Sequence, residues 1–134
     1  MNVPHDPSLQ QPFDLRFANR GDYLHAVVSG DRDSPEISLA YWRAIAAECA
    51  RRGAHRLLIR DELPGQPNDP EQMVRLAQAL RGSGLEKVRV AFHEPVIIHL
   101  RLVEHGELAM REAGFTLRVF GSEHEAELWL RYGA

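Results

Sequence analysis

A single cysteine, Cys49, stands in the whole 134-residue chain. One thiol excludes an internal disulfide and a thiolate-rich zinc site. Its place among alanines on an expected helix reads as a small buried hydrophobe, not a nucleophile. Lysine is as scarce: Lys87 is the one lysine among 16 basic residues, a bias without functional content, since either cation keeps a surface soluble. No apolar run approaches membrane-spanning length, so no membrane insertion is expected. A net charge of −3 argues against a dedicated binder of nucleic acid or anionic membrane. Residues 1–12, MNVPHDPSLQQP, lack an apolar signal core and read as a loose lead-in, and a cytoplasmic location is expected.

Motifs for chemistry are missing as well. Arg81-Gly82-Ser83-Gly84 ends a helix instead of opening one, so it lacks the amide cluster that cradles phosphate. No Gly-x-Ser-x-Gly elbow occurs. The histidines of His93-Glu94-Pro95-Val96-Ile97-Ile98-His99 are not one helical turn apart, as the zinc-protease motif requires. His99 and His105, six apart, are out of line too.

What is present is a core and a rhythm. At 44% hydrophobic and 26% charged residues the chain reads as one globular domain spanning 13–134. Five strands are expected, at Phe13–Ala18, Tyr23–Ser29, His55–Arg60, Val88–Phe92 and Thr116–Phe120. Asn19-Arg20-Gly21-Asp22 joins the first two as an antiparallel hairpin. Helices are expected at about Pro35–Arg52 after the cap Ser34, about Pro70–Arg81 after Asp69, and roughly Val96–Ala113 before Gly114. A fourth follows Ser122, with Glu125 placed to complete a capping box and Ala126, Trp129 and Leu130 on one stripe. The order β-β-α-β-α-β-α-β-α means a single α/β domain with a mixed, mostly parallel sheet.

Alternation along the strands sorts their side chains. One face carries Leu24, Ala26, Val28, Leu57, Ile59, Val90, Phe92, Leu117 and Val119, all apolar. The other carries Arg16, Tyr23, His25, Arg56, Leu58, Arg60, Arg89, Arg118 and Phe120. Sheets covered on both faces have near-continuous apolar strands, so helices mainly on one face are expected, wound as a β-α superhelix.

The hairpin Asn19-Arg20-Gly21-Asp22-Tyr23 and the closing residues Arg118-Val119-Phe120, Ser122, Ala126, Trp129 and Leu130 carry a family likeness. From Phe13 to Arg131 the chain resembles the SpoIIAA-like proteins, small bacterial relatives of the STAS domain and of CRAL-TRIO lipid carriers. The resemblance implies a one-sided β-α superhelix, frequent dimerisation and no catalysis. STAS antagonists carry a phosphorylatable serine where the second helix begins, but the matching loop, Asp61 to Pro70, has no serine or threonine. A serine-phosphorylation switch is therefore not expected there.

Two candidate sites follow. Asp31, Asp61, Glu62, His93 and Glu94 sit at strand carboxyl ends, where carboxylates and an imidazole can bind a hard cation or move protons. The plainer reading makes them loop residues and helix caps, and a superhelical sheet has no order-reversing crevice. The second candidate is the polar sheet face, with Arg16, Tyr23, Leu58, Arg89, Arg118 and Phe120. Arginines among aromatics suit phosphates and bases, yet Leu58 and Phe120 there favour burial against a second subunit. The expectation is a non-catalytic regulatory or interaction module. It forms a homodimer through that face, docks a further protein the sequence does not name, and uses no cofactor, metal or nucleic acid. The alternative is a carrier of a small apolar ligand or lipid, needing a hollow lined by Met73, Leu76, Leu102 and Met110.

Overall fold

The computed structural model describes residues 12–65 and 67–133; most of the expected lead-in lies outside them. The strands are β1 (Asp14–Asn19), β2 (Leu24–Ser29), β3 (Arg56–Asp61), β4 (Arg89–His93) and β5 (Thr116–Phe120). The helices are α1 (Pro35–Arg52), α2 (Pro70–Ala79), α3 (Ile97–Glu112) and α4 (Glu123–Tyr132). The sheet runs β1-β2-β3-β4-β5, so its order is the chain order. β1 pairs antiparallel with β2, and the other three pairings are parallel. The expected α/β domain with its mixed five-stranded sheet is the observed one.

Local chemistry sets the helix ends. Ser34 accepts the Ile37 amide at 3.1 Å, and Pro35 follows with its φ already helical. Gly53 stops α1 at φ 65°, where a side chain would be strained. Asp69 and Gln72 close a full capping box, at 2.8 and 2.9 Å. At α4 the serine half forms, Glu125 N donating to Ser122 Oγ at 3.4 Å; the reciprocal Glu125 contact is not among the described hydrogen bonds. α2 stops at Ala79, earlier than expected, because Gly82 and Gly84 at φ 84° and 92° turn the chain. The Glu86 carboxylate accepts both their amides, at 2.6 and 3.1 Å, and so fills the one anion-shaped turn in that segment from within.

The apolar face packs under α1, α2 and α3. Ile45 from α1, Leu80 after α2 and Met110 from α3 meet Leu57, Ile59 and Val90, all essentially without solvent contact. Each such side chain contributes about 1.5–3 kcal/mol by leaving water.

The second face is not open. Ala126, Trp129 and Leu130 of α4 pack on Tyr23, Leu58 and Ala91, with Phe120 at the margin. The handedness rule places a helix only when a parallel strand follows it. α1, α2 and α3 each precede such a strand; among the described residues no such strand follows α4, and its apolar stripe packs on the other side. Three helices lie on one face and one on the other.

Candidate functional site

α4 decides the fate of the polar sheet face. Leu58, expected as an exposed anchor, is fully buried beneath it, and Tyr23 is buried with it. Phe120 is half-buried, its ring 5.7 Å from that of Trp129 and tilted 45°. The Arg89 guanidinium lies 4.3 Å from the Trp129 ring centre, and that of Arg118 lies 5.9 Å away. These arginines hold the helix down by cation–π contact and aliphatic packing instead of rimming a subunit interface. Arg16 is exposed, 3.8 Å from Asp14 and 3.9 Å from Glu62. The expected docking face is therefore occupied by the chain's own last helix.

The strand-end residues also divide between the two faces. Asp61 follows Ile59 in phase and Glu94 follows Phe92, so both turn toward α1–α3. Glu62 turns the other way and pairs with Arg60 at 2.8 Å. His93 also faces α4, bonded to the Gly121 backbone, with its Nδ1 lacking a partner. His25, on the same face, lies 3.6 Å from Glu123. Burial lowers the pKa of both imidazoles, Arg60 adding to the effect at His93. Asp31 is exposed and takes no part. Of the five strand-end residues, Asp61 alone lines a site, and Glu94 reaches it only as a neighbouring charge.

That site is a cavity between the apolar sheet face and α1–α3. Met73, Leu76, Leu102 and Met110, the four residues named for a hollow, all line it. Its volume is about 40 Å³, room for the centres of about three waters at roughly 10–15 Å³ each and far short of an acyl chain. Its polar lining comes from Asp33, Ser38, Tyr41, Asp61, Asn68 and Glu107. Asp33 accepts the Ser34 amide at 2.8 Å and the Ser38 hydroxyl at 3.1 Å, while Asn68 donates to Ser38 at 3.1 Å. Asp61 accepts the Leu63 amide at 2.8 Å, and Glu107 accepts the Val119 amide of edge strand β5 at 2.8 Å.

Burial dominates the electrostatics. It pushes the Asp61 carboxyl up to about 7, with Asp33 and Glu94 adding like charge and the Leu63 amide opposing. Burial raises Asp33 too, against the hydrogen bonds from Ser34 and Ser38. Glu94 is raised by burial, although Val96 N donates to it at 3.1 Å and His99 lies 3.5 Å away. The Tyr41 hydroxyl is held well above its usual range by burial and by the charges of Asp61 and Asp33.

In sequence comparison, no protein-family profile matches the chain and no curated protein matches it. Among the described residues no group of three or more His, Cys, Asp or Glu is arranged to hold a metal ion, and no helix is long and apolar enough to cross a membrane.

Sequence reasoning missed Asp33, Ser38, Tyr41, Asn68 and Glu107. One signal was available. Ser38 and Tyr41 interrupt the buried stripe of α1 formed by Ile37, Trp42, Ile45 and Cys49, and polar groups on a core-facing stripe need partners there.

Proposed function

We propose that this protein is a non-catalytic interaction module that docks through the start of α3. The observation that carries this is Ile97 and Ile98, adjacent and each 81% exposed, with Val96 and Leu102 extending the patch. Solvated pairs of large aliphatics on a small domain mark a contact surface. The chemistry of the cavity supports the non-catalytic reading. Two hydroxyls stand on its wall: Ser38 both donates to Asp33 and accepts from Asn68, and burial keeps that of Tyr41 protonated. Activated hydroxyls need a base within reach and a free approach.

The occupant we propose is a second copy of the chain. An isologous pairing sets the same isoleucines of two subunits face to face. Four such side chains supply about 6–12 kcal/mol gross at about 1.5–3 kcal/mol each, against an association cost of about 4–15 kcal/mol. The product is a concentration-dependent dimer instead of a permanent one. This role is the kind that resemblance to SpoIIAA-like domains implies, with the interface moved from the sheet to a helix. Lipid carriage is not proposed, because the hollow is too small and carries carboxylates.

Light scattering over a concentration series tests the reading on wild type and on Ile97→Asp/Ile98→Asp. The wild type is expected to shift toward dimer as concentration rises, and the variant to remain monomeric with an unchanged circular dichroism spectrum. A wild type that stays monomeric throughout, or a variant that dimerises equally well, refutes it.

A further inference from the structure

Two histidines lie in the contact between the sheet and α4. His25 of β2 and His93 of β4 are each 6% exposed, and each has a buried ring nitrogen without a hydrogen-bond partner among the described residues. The other nitrogens show where the ring protons sit. Arg20 Nη2 lies 3.5 Å from His25 Nδ1, and a guanidinium can only donate, so that nitrogen accepts and carries no proton. The single ring proton of His25 is then on Nε2, 3.6 Å from Glu123. His93 donates to the Gly121 backbone, which leaves Nδ1 as its bare nitrogen. Both rings are therefore held neutral, and a second proton on either is left without an acceptor.

The surrounding charges favour neutrality as well. Arg20 of the hairpin, Arg60 of β3, and Glu123 and Glu127 of α4 act on His25; Arg60 and Glu123 act on His93. Glu62 is turned to Arg60 at 2.8 Å. The bond to Gly121 sets His93 beside the Ser122 cap, at the positive end of the α4 dipole, where a cation is disfavoured. Elsewhere under α4, Arg89 and Arg118 lie over Trp129, and Arg131 lies over Tyr23. Glu123 is the carboxylate common to both rings, but its side chain is 41% exposed and burial outweighs its pull on each.

We infer that α4 is an acid-released latch: proton uptake by His25 and His93 frees it from the sheet and bares the face made by Tyr23, Leu58 and Ala91. With α4 docked, each new charge is buried beside Arg60; with α4 lifted, both imidazoles reach water and charge freely. Below the ordinary histidine range the open fraction then rises by up to about tenfold per pH unit for each ring. The residues under α4 form a cluster separate from the core beneath α1–α3, so this face can open while the other stays packed. The inference uses no residue of the α3 docking patch, so the two readings fail independently.

The test is native-state hydrogen exchange of the full chain, followed by nuclear magnetic resonance at pH 7.5 and pH 5.5 and expressed as protection factors. Protection of the amides of residues 126–130 is expected to fall by about tenfold or more relative to that of Leu57, Ile59 and Val90. His25→Gln/His93→Gln, checked by circular dichroism, is expected to lose that fall. Should the double variant not fold, the wild type gives a second reading: its His25 and His93 ring-nitrogen shifts should reach their charged values over the pH range in which α4 loses protection. Rings that charge while α4 keeps its protection overturn the inference. So do α4 and core protection that change in step, or a folded double variant with the wild-type pH response.

Discussion

Replacing Asp61 by Asn should make this protein more stable, and only above acidic pH. Asp61 has its carboxyl raised from 3.8 to about 7 by burial. In the unfolded chain it ionises near 4; in the folded chain it keeps its proton to near neutrality. Below pH 4 both states are protonated and the group contributes nothing. Between about pH 4 and 7 the folded state binds more protons than the unfolded one, so stability falls as pH rises. Above 7 the full penalty of a buried, like-charged carboxylate is present. A change from 3.8 to about 7 is worth about 4 kcal/mol at about 1.4 kcal/mol per tenfold in proton affinity. Residual solvent at this half-buried side chain lowers the figure toward about 2 kcal/mol.

Asparagine keeps an oxygen for the Leu63 amide and carries no charge. Urea unfolding followed by circular dichroism should therefore give Asp61→Asn an advantage of about 2–4 kcal/mol at pH 8 and none at pH 4. With about 1–3 kcal/mol per molar urea for a small domain, the midpoint moves upward by on the order of 1–2 M at pH 8. His25 and His93, whose pKa values burial lowers, act in the opposite sense. Their stabilisation is present above their ordinary range and lost as pH falls through the lowered values. Comparing variant with wild type at each pH cancels that contribution. An advantage equal at pH 4 and pH 8, or a variant less stable at both, would show that the carboxylate is not held in a low-dielectric site.

Trp129→Ala removes the centre of the second-face core and the ring under Arg89, and is expected to cost about 3–5 kcal/mol in urea unfolding; a loss under 1 kcal/mol would mean that α4 is only loosely docked. Phe120→Asp, which packs against Trp129, should lower the melting temperature while leaving any dimerisation seen by light scattering intact. Cys49 is 2% exposed with its thiol pushed up to about 11, so a thiol-specific reagent should label it in denaturant and not in the native protein at pH 8; native labelling would contradict the burial.

The first sheet face was legible in the sequence because a strand's period is two and its apolar residues are unambiguous. Leu57, Ile59, Val90 and Phe92 fall where alternation puts them. The second face misled for a physical reason. Arg89 and Arg118 count as polar in any pattern, yet their stems and guanidinium planes cover an indole. Leu58 and Phe120 did signal burial on that face; the covering element is α4 of the same chain, and no local pattern says to which side a terminal helix folds. The cavity was half legible. Asp61 stands at a strand end, where polar groups gather. Asp33 reads as part of a helix cap, and Tyr41 as one more aromatic on α1; only tertiary packing brings them to Asp61 across the cavity.

Because strand order equals chain order, each strand pairs only with its neighbours in sequence. The sheet's parallel pairs are nonetheless long-range, Leu24 meeting Leu57 and Arg56 meeting Arg89 across a whole helix each, the non-local kind of closure that slows folding. Along the sheet each strand covers the edge of the one before it in the chain and presents a new one. Among the described residues no strand pairs with the outer side of β5, and an uncovered edge is the usual template for unwanted pairing between chains. The Glu107 carboxylate takes the Val119 amide at 2.8 Å, putting a negative charge on that edge. α3, which comes immediately before β5, thereby supplies the stop that ends the sheet at five strands.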